Sequence, residues 1–133
     1  RGSYGSVSLV RRKSDRKLLA MKTVQLPPLA SQDDQAVAER RQALREVELL
    51  RELASPYLVR YVEAILTPAS ACRPRSELHI VTEYCDGGDL ATYLRKVTAP
   101  GRGLAEADVW GFASTVLAGL CELHGRSILH RDI

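Results

Sequence analysis

The sequence predicts an α+β fold: an antiparallel sheet carrying one long helix, followed by a helical segment. Two observations predict it. Alternating apolar patterns recur through Ser6–Tyr84 with a single amphipathic helical stripe among them, and after residue 89 the long patterns are helical. The glycine pair in Cys85-Asp-Gly-Gly-Asp89 marks the changeover and makes it the natural boundary between two lobes.

Taken in order, Gly2-Ser-Tyr-Gly5 is a turn, and Ser6–Val10 is a strand with Val7 and Leu9 on one face. Arg11-Arg-Lys-Ser-Asp-Arg16 is a polar hairpin connection into a second strand, Lys17–Leu26, with Leu18, Ala20 and Lys22 on one face. Pro27 and Pro28 stop that strand, because proline offers no ladder donor. Ser31-Gln-Asp-Asp34 reads as a capping box ahead of a helix reaching about Leu53, which Pro56 closes off. Two more strands follow, roughly Leu58–Leu66 and Leu78–Tyr84, joined by an exposed loop from Thr67 to Ser76. A short helix over Leu90–Val97 and a Pro100–Gly103 loop lead to a last helix, Glu106 to His124, with Gly125 as its C-terminal cap. Val109, Phe112, Val116, Leu117, Leu120 and Leu123 cover so much of that helix that it needs partners on more than one side. Too little sequence follows to supply them, so exposed apolar surface around Phe112–Leu120 and poor solubility are expected.

Composition narrows the function classes. With 133 residues, 45% hydrophobic and 26% charged, the chain can build a packed core, which excludes a disordered tail or a fibrous repeat. A net charge of +3, with acidic residues interleaved, gives no argument for nucleic acid as a partner. No run approaches the roughly 18 apolar residues of a membrane span, and Arg1 opens no signal peptide. Cys72, Cys85 and Cys121 are odd in number and far apart, which favours a reducing, intracellular and cytoplasmic setting over a disulfide framework or zinc site.

Four features carry chemistry, and each has an ordinary reading beside the functional one. Gly2-x-x-Gly5-x-Val7 could be any turn, yet it feeds a strand rather than a helix, so it differs from a dinucleotide-binding fingerprint. Such a turn lets backbone amides approach a polyphosphate, with Val7 over a flat base. Lys22 faces inward by alternation and either snorkels to the edge or needs an anion. Glu46 lies within the apolar stripe of Ala43, Val47, Leu50 and Leu53, and either reaches solvent or needs a cation. An inward cation and an inward anion on consecutive elements suggest each other. His130-Arg131-Asp132, after the short apolar strand Ile128-Leu129, is either a polar loop or the place where Asp132 accepts a hydroxyl proton.

The ordered set is specific. Glycine loop, Ala20-Met-Lys22, a helix with Glu46, Val81-Thr-Glu-Tyr-Cys85, a long helix and His130-Arg-Asp132 together resemble a eukaryotic-type protein kinase domain. Glu83-Tyr-Cys-Asp-Gly-Gly-Asp-Leu90 and Arg45-Glu-Val-Glu-Leu-Leu50 are most like the NIMA-related serine/threonine kinases. The resemblance implies a kinase N-lobe over 1–84 with its first strand mostly missing, a hinge over 85–89, and the start of the helical C-lobe over 90–133. It also implies ATP and Mg²⁺ as cofactors and a protein substrate as partner, with neither nucleic acid nor membrane. Gly2, Ser3 and Gly5 would cover the nucleotide phosphates, and Val7 and Ala20 would sandwich adenine. Lys22, paired with Glu46, would hold the α- and β-phosphates. Thr82 would guard the back of the adenine pocket, its small side chain leaving room there. Glu83 and Cys85 would bond adenine through their backbone, and Asp89 would reach ribose or substrate. Asp132 would orient the substrate hydroxyl and take its proton, with His130 packed in the core and Arg131 available to an activation segment.

The departures from the family pattern set further expectations. The first glycine of the loop would precede Arg1, and Ser55-Pro-Tyr-Leu-Val59 replaces His-Pro-Asn-Ile-Val. The segments around 27–35, 67–76 and 98–102 are longer than the family minimum. The catalytic-loop Asn and the Asp-Phe-Gly metal site would follow Ile133, so these 133 residues alone are expected not to transfer phosphate at a useful rate. The leading reading is part of an ATP-dependent serine/threonine kinase domain. A pseudokinase or truncated nucleotide- or partner-binding module is the alternative, and an unrelated α+β nucleotide-binding protein would require coincidence of every motif. Two smaller features keep two readings each: Arg11-Arg-Lys-Ser14 as a basic phosphorylation site or a plain exposed turn, and Cys85 as a reachable or an inert thiol.

Overall fold

Alternation of serine with Val7 and Leu9 produces the first strand of the computed structural model, β1 (Ser6–Arg11), which pairs antiparallel with β2 (Leu18–Leu26). The structure describes residues 5–97 and 103–130, so Gly2, Ser3, Arg131, Asp132 and the 98–102 segment lie outside the described residues. The hairpin turn is closed by backbone bonds from Arg12 N to Lys17 O (2.9 Å) and from Arg16 N to Arg12 O (2.9 Å), with Arg16 in the left-handed region at φ 63°. Within it Arg12 is ion-paired to Asp15, whose Oδ1 also accepts from the Lys17 N–H at 3.1 Å. The guanidinium, then that amide, hold the Asp15 carboxyl far below the usual carboxylate range.

The long helix, α1 (Asp34–Glu52), follows, and its cap corrects the sequence reading. The N-cap is Asp33, whose side chain accepts from Ala36 N–H at 3.2 Å. Ser31 belongs to the turn before the helix: its N–H donates to Pro28 O at 3.0 Å, and the guanidinium of Arg40 binds the Ser31 and Pro28 carbonyls at 2.9 and 2.7 Å. Strands β3 (Tyr61–Thr67) and β4 (Ser76–Glu83) complete a four-stranded antiparallel sheet in the order β1-β2-β4-β3. β3 starts three residues later than expected, and its register shifts between Tyr61 and Glu63. β4 starts two residues earlier, because the connection is a structured turn in which Ser70 and Arg73 exchange backbone bonds of 2.7 and 3.0 Å. Buried Ser76 closes the turn, its Oγ accepting from Ala69 N–H at 3.2 Å.

These elements form one compact unit, Arg1–Ala54 with Val59–Tyr84. Its core is Leu26, Leu78 and Ile80 from the sheet against Ala43 and Val47 from α1, with Val24, Leu50, Tyr61 and Ala64 packed around them. The same alternation that places Leu26, Leu78 and Ile80 under the helix makes α1 amphipathic against them.

The second unit comprises Ser55–Leu58 and Cys85–Ile133. Its helices are α2 (Leu90–Val97) and α3 (Glu106–Gly125), as the sequence pattern predicts. Tyr93 meets Phe112 edge to face at 5.6 Å between ring centroids. Gly119 lets α3 approach the 55–58 segment, since a Cβ there would sit 3.3 Å from the Tyr57 carbonyl oxygen. Only Gly119 and Leu123 of α3 are buried, while Trp110, Leu117, Val109 and Val116 are exposed.

Gly125 is the last residue of α3 rather than its cap. The stop is a Schellman motif one step later: Arg126 is the C-cap, Ser127 N–H reaches His124 O (2.9 Å) and Ile128 N–H reaches Leu123 O (2.9 Å). The left-handed position belongs to Ser127, at φ 60°. Ile128-Leu129 is not a strand, and His130 is exposed rather than packed in the core. The chain leaves the helix along the surface there, with Leu129 exposed as well.

Candidate functional site

Strand register assembles the candidate site. Leu9 lies opposite Ala20 and Ala20 opposite Thr82, while Val7 lies opposite Lys22 and Lys22 opposite Ile80. Cross-strand partners share a face. Val7, Leu9, Ala20, Lys22 and Thr82 are therefore on the face whose other end is buried against α1. Exposure runs along that face from Ile80 at 2% to Leu9 at 56% and Val7 at 72%. It is an apolar sheet surface, covered at one end and open at the other.

Lys22 stands at the transition. Its Nζ lies 2.7 Å from Glu46 Oε1, so the two charges singled out from separate elements do meet. Neither is deep: the side chains are 34% and 42% exposed. A pair wetted to that degree contributes about 0–1 kcal/mol to stability. Its consequence is therefore positional, a lysine ammonium held at the edge of an apolar surface with donors to spare.

A cavity of about 640 Å³ opens beside this pair, lined in part by Gly5, Ser6, Lys22, Gln42, Ala43 and Glu46. Gly5 takes φ 119°, and a Cβ there would collide with the Thr23 carbonyl oxygen, so glycine is required on both counts. Glu39, Gln42 and Glu77 also line the cavity and were missed in the sequence. Gln42 and Glu39 precede Glu46 by four and seven residues, a helical spacing that could have found them. Glu77 had no such signal; it is held by Arg73 at 3.3 Å and lies 3.7 Å from His79.

At the end of β4, Glu83 is locked to Arg60. The Glu83 N–H donates to Arg60 O (2.9 Å), Arg60 N–H donates to Glu83 Oε1 (2.8 Å), and the guanidinium lies 3.8 Å from Oε2. Sequence reasoning gave Arg60 no role, because the pairing spans 23 residues. In the second unit, the Cys85 carbonyl closes a turn by accepting from Gly88 N–H (3.3 Å), and the Cys85 N–H has no partner among the described residues. Asp89 caps α2: its Oδ1 accepts from Thr92 N–H at 2.6 Å, which lowers its pKa. Among the described residues no group of three His, Cys, Asp or Glu could hold a metal ion, and no helix is long and apolar enough to cross a membrane. Gly2, Ser3 and Asp132 of the predicted site fall outside those residues.

The family model for the protein kinase domain matches residues 1–133. The chain is 38% identical to serine/threonine-protein kinase Nek2 of Homo sapiens over 99% of its length and 28% of that protein's. It is 37% identical to serine/threonine-protein kinase Nek6 of Oryza sativa subsp. japonica, over the whole chain and 22% of the relative. It is 36% identical to the MAP kinase kinase skh1/pek1 of Schizosaccharomyces pombe, over 99% of the chain and 33% of the relative. The chain thus spans about a quarter to a third of these relatives. It belongs to the protein kinase domain family, with NIMA-related serine/threonine kinases among its most similar relatives.

Proposed function

We propose that this chain is the ATP-binding portion of a serine/threonine protein kinase that transfers the γ-phosphate of ATP to protein hydroxyls. The observation that carries the reading is the Lys22–Glu46 pair at 2.7 Å, set at the margin of the apolar face formed by Val7, Leu9 and Ala20. An apolar face suits a flat base, and an oriented ammonium beside it suits phosphate oxygens. The residues therefore fit a nucleoside triphosphate.

In this reading residues 1–84 form the N-lobe, 85–89 the hinge and 90–133 the start of the C-lobe. Val7 and Ala20 enclose the base, while Thr82, opposite Ala20, leaves room behind it. Glu46, 2.7 Å from Lys22 Nζ, holds the ammonium where it can meet the α- and β-phosphates. Gly5, with Gly2 and Ser3, brings backbone amides over the phosphates. The Arg60–Glu83 lock fixes the strand end from which the Glu83 carbonyl would accept from the base, and the Cys85 N–H, without a partner among the described residues, would donate to it. Asp89 serves ribose or substrate, and Asp132 orients the substrate hydroxyl and accepts its proton. Mg²⁺, when bound with ATP, neutralises phosphate charge; the described residues do not supply a site for it, and none is assigned to hold it.

Titration with a fluorescent ATP analogue tests the reading. Lys22→Met and Glu46→Gln are each expected to weaken binding by about tenfold or more, the loss of a charge-assisted contact. Unchanged affinity in Lys22→Met would overturn it. The alternative, nucleotide binding without catalysis, separates at Asp132→Asn: in the whole protein this change is expected to abolish phosphate transfer to a serine peptide while leaving nucleotide affinity unchanged. A polypeptide of these 133 residues alone is expected to show no useful transfer rate.

A further inference from the structure

The hairpin between β1 and β2 concentrates the chain's charge. Residues 11–17 hold five cations and one carboxylate, or +4, whereas the whole chain carries +3, so everything else sums to −1. Arg12 is engaged with Asp15. Arg11, Lys13, Arg16 and Lys17 are exposed and make no ion pair among the described residues. Ser14 sits among them, exposed, its hydroxyl without a hydrogen-bond partner among the described residues. This segment has no part in the nucleotide reading: it lies beyond the register positions that carry Ala20 and Lys22.

We propose that Ser14 is a phosphorylation site for a protein kinase whose substrate groove is acidic and reads Arg11 and Arg12, three and two residues before the hydroxyl. The recognition is electrostatic complementarity between that groove and the cationic run. The turn presents little obstacle to binding in an extended form. Every residue from Lys13 to Lys17 is exposed, so opening the tip uncovers no core and breaks two backbone–backbone bonds, the Lys17 N–H to Asp15 bond and the Arg12–Asp15 contacts. In the reaction the Ser14 Oγ attacks the γ-phosphorus of ATP. The Oγ–P bond forms, the bond from the γ-phosphorus to the bridging oxygen breaks, ADP departs, and the hydroxyl proton passes to the carboxylate base of the modifying enzyme. The product adds about −1.5 to −2 charge at neutral pH. Its oxygens then compete with Asp15 for Arg12 and find Lys13 and Arg16 within the same turn. The inference is independent of whether this chain itself transfers phosphate.

The test starts from the free peptide Arg-Arg-Lys-Ser-Asp-Arg-Lys, used to choose a purified arginine-directed serine kinase that modifies it. The same enzyme and MgATP are then applied to the folded protein, with intact-mass and fragment-mass spectrometry as readout. Expected are a single added phosphate on Ser14, none in Ser14→Ala, and a rate reduced about tenfold in the Arg11→Ala/Arg12→Ala variant, as loss of two charge contacts implies. Three results would overturn the proposal: failure of the peptide with every such kinase, modification of the peptide but not the folded protein, or modification indifferent to the two arginines. Ser14→Ala removes an exposed hydroxyl only, so folding is not at stake in the control.

Discussion

The sheet unit and the helical unit place their apolar residues differently. In the first, Ile80, Leu78, Leu19, Val81 and Leu26 are all at or below 6% exposure, and Ala43 and Val47 of α1 cluster with Leu26, Leu78 and Ile80. In the second, Leu123 is the buried large side chain among the described residues, while Trp110 at 66% and Leu117 at 59% face outward. The first unit orients Lys22 and Glu46 on elements anchored by their own core. The helices of the second are held by close backbone approach at Gly119 and by end structures, at Asp89 and Ser127, more than by side-chain burial.

The largest expected effect breaks the better core. Ile80→Ala should destabilise by about 3–4 kcal/mol, the transfer and cavity cost of a fully buried branched side chain. Leu117→Ala on α3 should change stability by less than about 0.5 kcal/mol. Urea midpoints of the two variants compare the units directly, and equal losses would dissolve the contrast. Next is Gly119→Leu, which forces a side chain against the Tyr57 carbonyl and Leu58 and should cost about 1–3 kcal/mol by overpacking. A neutral outcome by thermal melting would mean that the helix does not depend on that approach.

Smaller, and of opposite sign, is Ser127→Gly. Removing the Cβ from a left-handed residue should stabilise by about 0.5–1 kcal/mol, read as a raised melting temperature. The least effect belongs to pH. The Thr92 N–H, then its hydroxyl, depress the pKa of Asp89 in the folded state. The cap is therefore complete above the ordinary carboxylate value of about 4 and is lost as pH falls below it. A small drop in α2 helicity by circular dichroism, absent in Asp89→Ala, is the expected signature.

Much of this was legible in the sequence where the signal is periodic. Strands and helices fall within a few residues of their predicted bounds because alternation and helical stripes are local properties of the chain. The Lys22–Glu46 pair was legible for a related reason: each charge interrupts an apolar face, and the two interruptions have opposite sign. What stayed hidden depends on competition or distance. Ser31 and Asp33 are both capable caps, and the turn that ties Ser31 N–H to Pro28 O leaves the cap to Asp33. Arg60 and Glu83 are joined only by folding. The family resemblance implied a core position for His130, but the Schellman turn sends that segment over the surface.

The cross-strand pairing of Leu9, Ala20 and Thr82, with that of Val7, Lys22 and Ile80, governs which length changes the protein can tolerate. Inserting one residue in β2 before Ala20 would rotate both Ala20 and Lys22 to the opposite side of the sheet, leaving every residue type intact and the apolar face without its lysine. A two-residue insertion would restore their side while displacing them along the strand. The Arg12–Lys17 turn and the Thr67–Ser76 connection carry no such constraint, so variation in chain length among relatives should accumulate there and be odd or even without penalty.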